Sequence, residues 1–459
     1  MSPAQRVREQ LEADTTWAAA LAALAGIDAM VYLVGGTVRD ALLGRAGYDL
    51  DLAIDGSAID VARTVADALG GAFFVMDAER DVARVLVRRA DGWRQIDLAG
   101  LREPSIDADL RARDFTVNAI ALSVAPWGQT LLDPTGGLAD LALGRMRLAS
   151  ASALSDDPVR VLRLVRLKGL LDFQVDKAVE RAAVDAAPLL ARATPERIRD
   201  EVLGILALES CAAAWRYAVG LGLIEHVLSA ELEAARLECA LEMLGIVAAW
   251  QAAAQQGGDL GPLQLYGAGL AAFWEKELSI GRPRRLLTRL ALLLDGISAD
   301  EVARDSHLRR MCLSRREAEH IAGALAGREA LAGLVAPSAI ELHRYYRTRG
   351  SAGVDGAVLA LAQAIVRGGE SMPSFGADAL RAWFMQYDEL VEPPSLISGG
   401  DVMRALQVAP GPLIGALLTA VREAQVTGAV HTPAEGLALA ARLAAQGSHV
   451  AQKATSEGD

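Results

Sequence analysis

Residues 31–56, VYLVGGTVRDALLGRAGYDLDLAIDG, constrain the fold of this chain more than any other segment. β-Branched and aromatic residues at 31–34 stop at two glycines, a pattern that predicts a buried strand with an abrupt end. Residues 37–43 have the length and composition of a short helix. The chain extends again at residues 48–54, where polar and apolar side chains alternate with the period of a strand. The sequence therefore predicts a strand, a short helix and a second strand in close succession.

This strand–helix–strand segment carries the first candidate site residues. Gly35 and Gly36 lack Cβ atoms, so the backbone there can approach a ligand closely. Free N–H groups at the helix start, with Arg39 nearby, are suited to binding a phosphate. Asp49 and Asp51 point to the same face of their strand, and a divalent cation such as Mg²⁺ between them would offset their mutual repulsion. The alternative is an exposed strand edge that carries two solvated acids.

GGTVRD followed by DLD resembles the active-site signature of the nucleotidyltransferase superfamily, and more narrowly that of tRNA CCA-adding enzymes and bacterial poly(A) polymerases. The resemblance implies template-independent addition of CMP, AMP or both, from CTP and ATP, to the 3′ end of tRNA. It implies that the RNA 3′-hydroxyl attacks the α-phosphate, that pyrophosphate leaves, and that Mg²⁺ ions bind Asp49 and Asp51. Gly35, Gly36 and Arg39 would bind the triphosphate.

Asp97 is the candidate for a third catalytic acid. It lies between Ile96 and Leu98 in a predicted strand at residues 93–98. The surrounding QIDLAGLRE resembles the stretch in which the family has an acid on a neighbouring strand. Such an acid could act as general base toward the attacking hydroxyl or help to hold a metal ion. A structural acid at the end of a strand is the alternative.

The segment DLRARDFTVNAIAL resembles the RRDFTINA motif of the family. Arg113 matches the second arginine of that motif, which implies a contact with the incoming nucleotide, whereas Ala112 replaces the first arginine. Asp114 and Asn118 are expected to hold the loop and the sugar side of the nucleotide. A capped helix that begins near Asp114 and runs through residue 121 is the alternative, and both interpretations can hold together.

The segment SDDPVRVLRLVR predicts a helix with Ser155 as its N-cap. Asp157, Arg160, Arg163 and Arg166 recur every three residues, so each is a neighbour of the next on the helix surface. The pattern resembles the nucleotide-selecting EDxxR motif of the family and its continuation, which implies nucleotide binding by these four residues. An Asp–Arg pair within one helix is the alternative for the first two.

The alternation of strands and helices, followed by helical patterns alone, predicts an α+β fold. An α/β nucleotidyltransferase head with a mixed sheet is expected at residues 1–150. Three all-α parts would follow: a neck for nucleotide selection at 151–225, a body at 226–370, and a tail that contacts tRNA at 371–459.

Charge and composition limit the partners of the chain. It has 46 Lys and Arg against 58 Asp and Glu, and the net charge of −12 argues against indiscriminate polyanion binding but not against a local basic surface. We expect tRNA, CTP and ATP as partners, no DNA and no membrane. The apolar stretch at residues 17–26 is too short to span a bilayer, and we expect a cytoplasmic protein. No oligomeric state follows from the sequence.

The length of one segment bears on how many nucleotides the protein is expected to add. Relatives that add a complete CCA have a flexible segment between the third acid and the RRDFT motif, and here only residues 98–109 stand there, stiffened by Pro104. The resemblance then implies addition of two cytidines without the adenosine, unless another loop, such as residues 77–84, replaces that segment. A poly(A) polymerase is the second candidate. A catalytically inactive RNA-binding protein is the third, disfavoured by three intact acids.

Overall fold

The structure is a computed structural model of the chain, and it describes residues 1–45, 49–90, 92–128, 130–228, 233–297, 301–332, 334, 336–368 and 374–456. The chain forms two compact units. The first comprises Met1–Glu201 with Tyr217–Val227, and the second comprises Val202–Arg216 with Leu228–Asp459.

A mixed sheet organises the described part of the first unit. Its six strands are β1 (Met30–Val34), β2 (Asp49–Asp55), β3 (Ala72–Asp77), β4 (Val82–Arg89), β5 (Gly92–Gly100) and β6 (Ala121–Ala125), in the order β3-β4-β5-β2-β1-β6. Only the β2–β5 pair within this sheet is parallel. Two short strands, β7 (Arg145–Met146) and β8 (Gln174–Val175), form a separate parallel pair.

Helices precede, interrupt and follow this sheet along the chain. They are α1 (Pro3–Glu12), α2 (Thr15–Leu24), α3 (Gly35–Leu42), α4 (Ala58–Leu69), α5 (Ile106–Arg111), α6 (Gly137–Leu143), α7 (Ala153–Asp156), α8 (Arg160–Leu171), α9 (Lys177–Ala186), α10 (Pro195–Ala207), α11 (Cys211–Gly220) and α12 (Ile224–Leu228). A 3₁₀ helix also occurs at Thr116–Asn118 and another at Ala187–Arg192.

The two faces of the sheet differ in how they are covered. Leu50, Leu52 and Ile54 of β2 belong to one large apolar cluster with side chains of α1, α2 and α4. Because side chains alternate along a strand, Asp49 and Asp51 project to the opposite face. That face has a smaller apolar cluster, to which β2 contributes Ala53. The alternation in DLDLAID therefore buries the leucines and leaves the carboxylates beside an open cavity.

The described part of the second unit is almost entirely helical. Its helices are α13 (Ala234–Gln256), α14 (Gly267–Glu275), α15 (Arg284–Ile297), α16 (Glu301–Arg310), α17 (Arg315–Ala332), α18 (Ala339–Arg349), α19 (Ala352–Val366), α20 (Ser374–Met385), α21 (Gly399–Leu406), α22 (Pro412–Val426) and α23 (Pro433–Ser456), with a β9 (Glu277–Ser279)–β10 (Arg282–Pro283) hairpin and a π-helical turn at Tyr387–Val391. By length and composition α13 could span a membrane, but half of its most apolar window is buried in the protein.

The predicted α+β fold, a mixed-sheet head followed by helices, is confirmed. The three boundaries between the four predicted parts stay a prediction, and the one at residues 370 and 371 lies outside the described residues.

The predicted helix start at Ser155 is wrong. Ser155 lies inside the short helix α7, and α8 begins only at Arg160. Between them Asp157 is extended, with φ −141° and ψ 95°. Pro158 explains the break, because a proline disfavours the helical conformation of the residue before it.

The alternative of a capped helix through residue 121 is also wrong. The chain makes one 3₁₀ turn at Thr116–Asn118 and then enters strand β6 at Ala121, which pairs with β1. Fully buried side chains fill this strand, including Leu122 and Val124. The local sequence pattern of this segment is compatible with a helix, but burial of its side chains at the edge of the sheet decided in favour of a strand.

Candidate active site

Three neighbouring strands align the charged side chains of the site in one row. Asp51 on β2 is the register partner of Asp97 on β5, and Asp97 is the partner of Arg84 on β4. Asp49 lies one strand period before Asp51, opposite Gln95. The structure thus brings the three predicted acids to one face of the sheet, where their charges interact.

Burial and this arrangement of like charges raise the pKa values of Asp51 and Asp49. Burial, the charge of Asp97 and the charge of Asp49 raise the pKa of Asp51 to about 6, although Arg113 and Arg163 oppose the shift. Burial and Asp97 also raise the pKa of Asp49. A bound cation would remove this penalty, because it favours the ionised form of both carboxylates.

The pair of carboxylates suits a divalent metal ion. Mg²⁺ is commonly bound by one or two carboxylates together with water and substrate phosphates. Among the residues that the structure describes, no group of three or more His, Cys, Asp and Glu side chains is placed to hold a metal ion. Asp49 and Asp51 therefore fit such an ion as a pair, with the remaining ligands left to substrate and water.

Asp97 is held by its own partners. Arg84 donates from Nε and Nη2 to the two carboxylate oxygens, at 2.7 Å and 3.0 Å, and Gln95 Nε2 donates to Oδ2 at 2.9 Å. Sequence reasoning missed Arg84 and Gln95. Gln95 two residues before Asp97 was visible in the sequence, whereas the pairing of Arg84 required the strand register.

The β1–α3 junction closes tightly over Asp51. Gly35 has φ +67°, a conformation that side chains rarely adopt, and a Cβ there would stand 3.3 Å from Asp51 Oδ2 and 3.3 Å from Arg113 Nη1. A Cβ on Gly36 would lie 3.6 Å from the same Asp51 oxygen. Both predicted glycines therefore border the carboxylate, and the first-turn N–H groups of α3 lie beside it.

Arg39 is buried, and each of its three guanidinium nitrogens donates one hydrogen bond. Its Nε and Nη2 donate to the two oxygens of Asp40, each at 2.8 Å, and its Nη1 donates to Asn118 Oδ1 at 2.6 Å. The guanidinium thus ties α3 to the 3₁₀ turn that carries Asn118. It also lines the larger of two cavities at the site.

Two ion pairs order the RDFT segment. Arg113 donates to Asp109 Oδ2 at 3.2 Å and 3.0 Å, and Arg163 Nε lies 2.6 Å from Asp114 Oδ2. Burial would raise the pKa of Asp114, but Arg163, the Phe115 N–H and Asn118 outweigh it and hold this pKa below its usual value. Asp114 therefore stays ionised in the interior and anchors α8 to the head.

The neck residues meet partners on α10. Asp157 Oδ2 accepts a hydrogen bond from Arg197 Nη2 at 2.6 Å, whereas Arg160 Nε lies 3.8 Å away. Arg166 donates to Glu201 at 2.7 Å and 3.3 Å. Sequence reasoning missed Arg197 and Glu201 as partners of these residues. Their spacing of four residues on a predicted helix was the signal that both face one neighbour.

Two cavities meet at the acidic row. The smaller, about 340 Å³, is lined by Arg113, Asp157, Arg160 and Arg197, and the larger, about 860 Å³, by Gly36, Thr37, Arg39, Asp49 and Arg166. Asp51, Asp97 and Arg163 line both. All eleven residues predicted for catalysis or nucleotide binding border one or both of these cavities, and the carboxylates lie between two arginine-lined spaces.

Family models match two parts of this chain. The model described as "Poly A polymerase head domain" matches residues 31–147, and the model described as "Probable RNA and SrmB- binding site of polymerase A" matches residues 172–235. The first match contains the whole acidic row.

Similar proteins cover nearly the whole chain. A CC-adding tRNA nucleotidyltransferase of Geobacter sulfurreducens is 32% identical over 88% of this chain and 90% of its own length. An A-adding tRNA nucleotidyltransferase of Deinococcus radiodurans is 31% identical over 90% of this chain and 95% of its own. The solved structure of a CCA-adding enzyme with ATP has the same fold, with a TM-score of 0.69 at 21% identity over 94% of this chain and 96% of that one.

Proposed function

The chain belongs to the family of tRNA nucleotidyltransferases and bacterial poly(A) polymerases, and from that premise we propose how its site adds nucleotides to the 3′ end of tRNA. The substrates are CTP, ATP or both. The observation that carries the proposal is the Asp49–Asp51 pair, which lines the arginine-lined cavities and whose two pKa values are raised by their surroundings.

Membership of the family implies dependence on a divalent metal ion, and we propose that the ion is Mg²⁺ and that Asp49 and Asp51 bind it. The metal, when bound, activates the attacking hydroxyl and neutralises charge on the leaving group. In the reaction the RNA 3′-oxygen forms a bond to the α-phosphorus, and the bond from that phosphorus to the pyrophosphate oxygen breaks. We propose that Asp97 accepts the hydroxyl proton or helps to hold the metal.

Arginines and glycines would position the nucleotide. Gly35 and Gly36 let the triphosphate approach the first-turn N–H groups of α3, with Arg39 and Arg166 lining the same cavity. Arg163 lies where the two cavities meet and can serve the phosphates, and Arg113 borders the smaller cavity beside Asp51.

The base would be selected by Asp157 and Arg160. Asp157 can only accept hydrogen bonds and Arg160 can only donate them. Cytosine offers an N4 donor beside an N3 acceptor, and adenine offers an N6 donor beside an N1 acceptor, so both fit the pair. Uracil and guanine present a carbonyl oxygen to the carboxylate. Arg197 holds Asp157 in place for this contact.

We propose that addition stops after two cytidines. Residues 101–105 form a short segment between β5 and α5 that is hydrogen-bonded at both ends. The Leu101 N–H donates to Ile54 O at 2.9 Å, and Ser105 caps α5 by accepting a hydrogen bond from the Ala108 N–H at 3.3 Å. A segment held in this way cannot readily reshape the pocket for adenine. Complete CCA addition, with the 77–84 hairpin as the switch, and poly(A) synthesis are the rival outcomes.

Two further assignments rest on the same family. We propose a cytoplasmic protein, and a division into head (1–150), neck (151–225), body (226–370) and a tail (371–459) that contacts tRNA.

Substitution of the paired carboxylates tests the proposed site. Asp49→Ala and Asp51→Ala should each abolish incorporation of labelled CMP into tRNA that lacks its CCA end, while circular dichroism shows an unchanged fold. Asp55→Ala, at the exposed end of the same strand, is the matched control and should retain activity. Normal rates in either of the first two variants would place the metal site elsewhere.

A further inference from the structure

One cation in the smaller cavity is not committed to a carboxylate. Among the described residues, five arginines line this cavity: Arg102, Arg113, Arg160, Arg163 and Arg197. Four of these have a carboxylate partner, namely Asp109 for Arg113, Asp114 for Arg163, and Asp157 for both Arg160 and Arg197. In the described part of the chain the guanidinium of Arg102 makes no hydrogen bond or ion pair. Its donors are therefore available to a ligand.

The backbone fixes where this free guanidinium can reach. The Arg102 N–H donates a hydrogen bond to Asp109 Oδ1 at 3.4 Å. The N–H of the preceding residue, Leu101, donates to the carbonyl oxygen of Ile54 near the end of β2. Arg102 thus projects from a short, anchored segment beside the row of strands. A side chain held at its base loses less conformational freedom on binding than one on a mobile loop.

Arg102 lies at the base-selecting end of the site. It lines the smaller cavity with Asp157 and Arg160, and it does not line the larger cavity with Gly36, Arg39 and Arg166. Burial lowers the pKa of Arg160, and the nearby charges of Arg163 and Arg102 add to that lowering. Arg102 and Arg160 therefore border the same cavity and interact electrostatically, so a base that contacts Arg160 in this cavity can also meet Arg102.

The edges of cytosine and adenine differ at this next position. Cytosine presents N4–H₂, N3 and O2 in a row, whereas adenine presents N6–H₂, N1 and C2–H. If Asp157 accepts from the exocyclic amine and Arg160 donates to the ring nitrogen, the third atom is an acceptor only in cytosine. An arginine can donate to that oxygen but finds no acceptor on adenine.

We propose that Arg102 is a further base-contacting residue that donates a hydrogen bond to O2 of incoming cytosine and so favours CTP over ATP. This inference rests on the proposed function, since it takes the Asp157–Arg160 pair as the base selector. It also gives a reason for the stop after two cytidines, because only cytosine can accept the hydrogen bond from Arg102.

Nucleotide binding without tRNA tests the inference. We expect wild-type protein to bind CTP more tightly than ATP in the presence of Mg²⁺, as measured by calorimetry. Arg102→Ala should weaken CTP binding about tenfold or more, the usual effect of losing a charged hydrogen bond, and change ATP binding less than about twofold. Arg111→Ala, an exposed arginine on α5 outside both cavities, is the matched control and should leave both affinities unchanged.

Every other result overturns the inference. Equal weakening of CTP binding and ATP binding would indicate that Arg102 contacts the triphosphate. Unchanged affinities for both would indicate that Arg102 contacts neither nucleotide. Wild-type addition of CMP to tRNA is measured in parallel, so that failure of the base contact is separated from failure of the proposed function. Protein that adds no nucleotide and binds neither CTP nor ATP would contradict both.

Discussion

At the scale of single residues, Asp51 illustrates how a candidate active site costs stability. Its pKa rises from 3.8 to about 6 in the folded protein, so the folded state binds the proton more tightly than the unfolded chain. The stability gained from that proton is present below pH 3.8 and is lost as the pH rises through 6. Above pH 6 the metal-free protein therefore carries an unfavourable charge that a bound cation would compensate.

We predict that Asp51→Asn stabilises the metal-free protein above pH 6. At pH 8 the free energy of unfolding should rise by about 2 kcal/mol, and the gain should shrink toward zero by pH 4. Urea unfolding with a chelator present measures it, and Asp55→Asn, on the same strand but exposed, is the control. A variant less stable than wild type at pH 8 would show that the carboxylate is not under this penalty.

The proposed base-selecting pair, Asp157 and Arg160, gives a second prediction at this scale. Asp157→Ala combined with Arg160→Ala should relax discrimination against UTP and GTP, because no charged acceptor or donor then faces the base. Arg197→Ala should have a smaller effect in the same direction, since it removes the group that holds Asp157 at 2.6 Å. Incorporation of each labelled nucleotide into tRNA measures the ratios. Discrimination that survives in the double variant would assign selection to other residues.

At the scale of elements, the β1–α3 junction couples backbone conformation to the site. Gly35→Ala should reduce nucleotide addition at least tenfold and destabilise the fold by about 1–2 kcal/mol, because the φ of +67° is strained and the new Cβ presses on Asp51. Gly70→Ala, which has φ +63° but open space around its Cβ, is the control. It should lose similar stability and keep activity, and equal loss of activity in both would remove the steric argument.

The sequence was informative about elements wherever its pattern was local. Hydrophobic periodicity and paired glycines predicted β1, α3, β2 and β5, and the DLD alternation predicted that Asp49 and Asp51 share a face. Contacts between distant segments were not predictable in this way. The pairing of Arg84 with Asp97 depends on strand register, and that of Arg197 with Asp157 depends on how α10 packs. Strand β6 and the break before α8 depended on burial and on Pro158.

At the scale of the whole molecule, one site must serve both a nucleotide and an RNA end. The two cavities that meet at Asp51, Asp97 and Arg163 are arginine-lined spaces within the first unit, and we propose that they receive these substrates. The overall charge of −12 makes such local basic spaces necessary for binding phosphate groups. In our proposal, the number of nucleotides added depends on how rigid the smaller cavity remains between cycles.

Nucleotide addition to tRNA that lacks all three terminal nucleotides tests the proposed activity most directly. With CTP, ATP and Mg²⁺ all present, we predict that the purified protein extends this tRNA by two cytidines and stalls, giving the same product length as CTP alone. Efficient addition of the terminal adenosine by this protein would contradict the proposed stop. No incorporation of either nucleotide would contradict the assignment of the activity itself.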